Sequence, residues 1–120
     1  MTTRTQARHI VQSAQAAVDR IRVLGALDER QLRALHRVAT ILSSGMAASS
    51  LALESEALGA LGRSADMAAQ TLRALASELG TGAGAARIES RQLCRDWAAR
   101  LLALYAETLG EVPAVTPEAA

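Results

Sequence analysis

The chain has 120 residues, half of them apolar, with 13 basic and 12 acidic side chains and a net charge of +1. That near-neutral balance argues against a nucleic-acid binder relying on phosphate neutralisation. The single cysteine, Cys94, excludes an internal disulfide and a cysteine-based zinc site.

All the basic residues are arginine, as expected of a GC-rich genome favouring Arg and Ala codons. Phe is absent, and Trp97 and Tyr105 are the only aromatics. A core made of Ala and Leu brings helices close together, yet each contact buries little area at about 25 cal/mol per Å². The expectation is an all-α protein: an elongated helical bundle or antiparallel coiled coil of about four helices, one domain over residues 1–112, stabilised partly by self-association. Arg4 and Arg8 are not followed by an apolar run, so no secretory signal is read. The uncharged stretch from Val38 to Leu53 is 16 residues long and contains Gly45 and five Ser or Thr, too short and too polar for a bilayer. Its part from Ile41 to Leu53, with small residues and Met46, suits a helix surface that contacts a partner helix or a lipid-like phase, or else packs within the bundle. A cytoplasmic location follows as the expectation.

In chain order, residues 1–5 read as frayed. A first helix over 5–24 carries Ile10, Ala14, Ala17, Val18, Ile21 and Leu24 on one stripe, and Gly25 ends it. Asp28 is placed to cap the next helix, with Glu29 at the positive end of its dipole and Gln31 completing a capping box. The second helix, 28–44, follows Leu32, Leu35, Ala39, Leu42 and Met46. Gly45 and the serine pairs at 43–44 and 49–50 predict a break or kink between 44 and 50, because the stripe through Met46 does not continue into the next one.

The third helix, 50–79, is the element around which the others are organised. Its seam is Leu51, Glu54, Leu58, Leu61, Ala65, Ala68, Leu72, Leu75 and Leu79, opposite a polar or small face of Ser55, Gly59, Arg63, Asp66, Gln70, Arg73 and Ser77. Gly59 and Gly62 lie off the leucines and predict close approach of a neighbour. The run Gly80-Thr81-Gly82-Ala83-Gly84 reads as a turn; it lacks the strand and the Gly-Lys-Ser/Thr ending of a phosphate loop. A last helix over 85–109 places Ile88, Cys94, Trp97, Leu101, Leu104, Tyr105 and Thr108 on one side. Gly110 closes it, and 113–120 reads as a disordered tail.

Catalytic chemistry finds little support. No Asp or Glu precedes His9 or His36 by three residues, so the di-iron helical pattern is missing. Glu54 and Glu56 point different ways around a helix, and Cys94 sits where a free thiol acts as a small hydrophobe. The expectation is a non-enzyme without metal or cofactor.

Two resemblances add to this reading. The segment His36-Arg37-Val38-Ala39-Thr40-Ile41-Leu42 resembles the His-Arg-Val-Lys-Asn-x-Leu phosphoacceptor box of one class of sensor histidine kinases, matching at His36, Arg37, Val38 and Leu42. It implies a phosphotransfer module with His36 as acceptor. The region from about Leu51 to Val112 is similar to the phasins, helical proteins that coat polyhydroxyalkanoate granules in bacteria. The likeness lies in its Ala/Leu-rich amphipathic helix with Arg63 and Asp66 outside, and in a closing segment with Gln92, Arg95, Asp96, Trp97 and Tyr105. That likeness implies an oligomerising coat protein without catalytic residues. The leading expectation is therefore a homo-oligomeric interaction protein contacting a granule or lipid-like surface or a protein partner. Leu58, Leu61, Leu72, Leu75, Leu79, Trp97, Leu101 and Tyr105 would carry assembly. The alternatives are phosphotransfer through His36 and a secretion chaperone or adaptor for one protein partner.

Overall fold

A computed structural model describes residues 3–80 and 84–111; the predicted glycine turn at 81–83 and the tail beyond 112 lie outside the described residues. Among those residues there are four α-helices and no strand: α1 (Arg4–Leu24), α2 (Glu29–Leu51), α3 (Glu54–Leu79) and α4 (Ala85–Glu111). Successive helices run antiparallel in an all-α bundle of 55 × 27 × 23 Å. α3 packs most extensively, against α2 and α4 and across the centre against α1, while α2 and α4 do not meet.

Local chemistry sets the ends. Thr3, inside the segment read as frayed, accepts from the Gln6 backbone N–H, and the Gln6 side chain accepts from Thr3 N–H, so α1 starts ordered. Gly25 closes α1 at φ 68°, a left-handed conformation that disfavours side chains with a Cβ. Asp28 and Gln31 form the expected capping box at 2.8 and 3.1 Å. Arg87 ties the intervening turn to α4 by donating from Nη1 to the Ala26 carbonyl at 2.9 Å.

α2 departs from the sequence expectation. It runs through Gly45 to Leu51 without the break predicted between 44 and 50. Its serines do not disrupt it, because Ser49 and Ser50 donate to the Met46 carbonyl at 2.9 and 3.0 Å. Gly45 is a contact point: a Cβ there would meet Ser64 Oγ and lie 2.6 Å from Ser64 Cβ. The buried side of α2 is Gln31, Leu35, Val38, Leu42, Gly45 and Ser49, rotated from the predicted stripe, which leaves Leu32 at the surface. The actual break falls at Ala52 and Leu53, both with extended backbone, and α3 begins without a side-chain cap.

The seam of α3 is buried from Leu58 onward: Leu58, Leu61, Ala65, Ala68, Leu72, Leu75 and Leu79 are all interior. Ala57, Gly62, Ala69 and Ala76 widen the buried face, as a helix with three neighbours requires. Gly62 lets α4 approach: a Cβ there would meet Thr108 Oγ1 and lie 3.0 Å from Thr108 Cβ. Gly59 has no such role: among the described residues, its close neighbour is the side chain of Arg63. On α4 the core side is Ser90, Cys94, Ala98, Leu101, Leu104 and Thr108. Ile88, expected on that side, is half exposed.

Candidate functional site

The residues expected to carry assembly separate into two groups. Leu58, Leu61, Leu72, Leu75, Leu79 and Leu101 lie in the core of the chain itself, none more than 4% exposed. Folding of the monomer already covers them, so none is left on the surface for a second molecule. Trp97 and Tyr105 are half-buried on α4. Trp97 lines a shallow groove with His9, Ile10 and Ser13 of α1 and Leu104 and Glu107 of α4, and the Arg100 guanidinium stacks over its ring at 4.7 Å from the centroid.

Cys94 is fully buried, and burial pushes its thiol from 9.0 up to about 12. A thiol that keeps its proton is a poor nucleophile. At pH 8 the native protein should therefore react with an aromatic disulfide reagent at least a hundredfold more slowly than the urea-unfolded chain. Equal rates would contradict the burial. The same shift gives a sign to alkaline stability. Unfolded chains lose this proton near 9 and native ones near 12, so in that window the unfolded state binds fewer protons and stability falls as pH rises.

His36 lies on the outer side of α2, in solvent, with Leu32, Arg33, Arg37 and Thr40 around a shallow recess. The core stripe of α2 is turned away from it, because Gln31 and Val38 are interior. The Thr40 hydroxyl donates to the His36 carbonyl at 3.0 Å, an ordinary helical back-bond that leaves the imidazole free of it. Glu29 lines the same recess and accepts from Arg33 Nη1 at 3.3 Å, so a carboxylate stands there with the two arginines. No group of three or more His, Cys, Asp or Glu among the described residues is arranged to hold a metal ion.

The uncharged stretch read as suited to an apolar contact ends where α2 turns into α3. Leu51 is 93% exposed and Leu53 77%. Leu51 is the last residue of α2, not the first of the α3 seam. Between Thr40 and Leu53 the outer face of α2 consists of Thr40, Ser43, Ser44, Ala47, Ala48 and Ser50, with no charge. The sequence pattern marks Ile41 to Leu53 as suited to contact with something apolar; what it does not separate is Leu51 from the α3 seam. The cap-free entry to α3 allowed the seam to be extended backward by mistake. Among the described residues, no helix is long and apolar enough to cross a membrane.

Comparison with protein-family models, with curated proteins and with solved structures yields no match for this chain.

Proposed function

We propose that the chain is a non-catalytic helical interaction protein, a phasin-like coat or self-assembling scaffold for an apolar storage granule. It works from the outer face of α2 and the turn beside it. The observation that carries this reading is the pair Leu51 and Leu53, held in water at either side of the α2–α3 turn. Covering a leucine contributes about 1.5–3 kcal/mol, and the neighbouring Ser/Ala surface has no charge whose desolvation would oppose contact. The phasin-like character of the region beginning at Leu51 agrees with an apolar partner.

The test is co-sedimentation with poly-3-hydroxybutyrate particles. Wild-type protein is expected to bind, and Leu51→Asp/Leu53→Asp to bind at least roughly tenfold more weakly. Its helicity should be unchanged, because both positions are exposed. Equal binding by the two proteins would overturn the proposal.

A second reading is phosphotransfer, favoured by the exposure of His36 between Arg33 and Arg37. Incubation with an acetyl-phosphate-charged receiver domain should then leave an acid-labile label that His36→Ala lacks. No label on the wild type would end that reading.

A further inference from the structure

We infer that the outer groove between α3 and α4 holds an amphipathic carboxylate, its oxyanion head between Arg73 and Arg95 and its alkyl body on the methyl floor beneath them. The site is independent of the granule reading, since Arg73 lies 20 residues along α3 from Leu53, roughly 30 Å away. Two contacts fix the register of the groove. Gly62 meets Thr108 toward one end, and the Gly80 carbonyl accepts from Arg91 Nη1 at 3.4 Å at the other. Arg73 on α3 and Arg95 on α4 therefore stand within one helical turn of the same level. Both are exposed, and both line a recess of about 330 Å³, at the small end of the range for ligand sites. Its floor is Ala76 and Ala98, both buried, with Leu102 beside them. Alanine at both floor positions leaves the recess, while the adjoining Leu75 and Leu101 turn into the core.

The recess carries positive charge that the fold does not neutralise. Among the described residues, neither guanidinium makes a hydrogen bond or ion pair, and no acidic side chain lines the space. The neighbouring acids are engaged elsewhere: Asp66 accepts from Gln70 at 3.1 Å, Asp96 from Gln92 at 2.9 Å, and Glu78 pairs with Arg30 of α2 at 3.8 Å. The Ser77 hydroxyl, on the same wall as Arg73, adds a donor. Two guanidiniums on facing walls suit the two oxygens of a carboxylate. This mid-helix position offers none of the free backbone amides that bind phosphate at a helix start. Exposed arginines hold a bare anion weakly, because water competes for both partners. The alkyl body supplies the rest of the affinity by covering Ala76, Ala98 and Leu102.

Amide NMR shifts of the isotope-labelled protein, titrated with octanoate, test this. At millimolar octanoate the amides of Ala76, Ala98 and Ala99 should shift and saturate. Acetate, which is head without body, and octanol, which is body without head, should each shift them at least roughly tenfold less at equal concentration. Arg73→Gln and Arg95→Gln should each bind octanoate roughly tenfold more weakly with native helicity, because both positions are exposed. Leu51→Asp/Leu53→Asp should bind octanoate as the wild type does, so loss of particle binding and loss of this site are read separately. Equal octanoate binding by the arginine variants, or shifts centred on Leu51 instead of Ala98, would overturn the site. Inorganic phosphate matching octanoate would also overturn it, since that anion makes no use of the apolar floor.

Discussion

Leu72→Asp is expected to unfold the protein, not to release folded monomers from an assembly. Leu72 is 1% exposed and belongs to the same buried cluster as Leu42, Leu61, Leu75 and Leu101. Truncation of such a leucine to alanine costs about 3–4 kcal/mol. The aspartate adds a carboxylate taken out of water into that apolar cluster, and the total exceeds about 5 kcal/mol, comparable to the whole stability of a domain this size. Circular dichroism at neutral pH should show most of the helix signal gone, independently of protein concentration. A variant with native helicity and only a changed mass would mean that Leu72 faces another molecule, which the fold denies.

The second large effect is a difference between two glycines on one helix. Gly62→Val should destabilise by about 3 kcal/mol, because the added atoms enter the space of Thr108 and α4 cannot retreat without opening the α3–α4 contact. Thr108 has little freedom to give way: its hydroxyl donates to the Tyr105 carbonyl at 2.8 Å, and its Cβ is fixed by the backbone. Gly59→Ala should instead stabilise by up to about 1 kcal/mol, since alanine is the better helix former. Its new Cβ meets only the mobile end of Arg63, at 3.2 Å. Urea titrations of both variants give the signs directly. A Gly62→Val protein as stable as wild type would show that α3 and α4 are not in contact there.

These glycines also show what the residue pattern could and could not convey. The α3 seam was legible because leucine is large and apolar, so its repeat stands out against Arg63, Gln70 and Arg73. The capping box at Asp28 and the stop at Gly25 were legible because their chemistry is local. The inner side of α2 was not. Gly45 and Ser49 look like helix breakers by type, yet they occupy the core because small volume lets α2 come close to Ser64 on α3. Once Gly45 and Ser49 are counted as interior, the stripe turns, His36 moves fully outward and Leu32 follows it to the surface. The end of the candidate surface was misplaced for a related reason. Leu51 continued a leucine repeat in sequence, and only the extended backbone of Ala52 and Leu53 separates it from that repeat in space.

The two ends of the rod are secured unequally. At one end, Gly25, the Asp28–Gln31 box and the Arg87 bond to the Ala26 carbonyl hold the backbone between α1 and α2. At the other, Leu53 gives the first amides of α3 no side-chain acceptor. What ties that turn to α1 is exposed, Arg8 donating to Ser50 at 3.4 Å and Arg4 paired with Glu54 at 3.6 Å. The first amides of α3 are therefore expected to exchange with solvent sooner than those behind the Asp28–Gln31 box, which would leave Leu51 and Leu53 on backbone that can adjust to a partner.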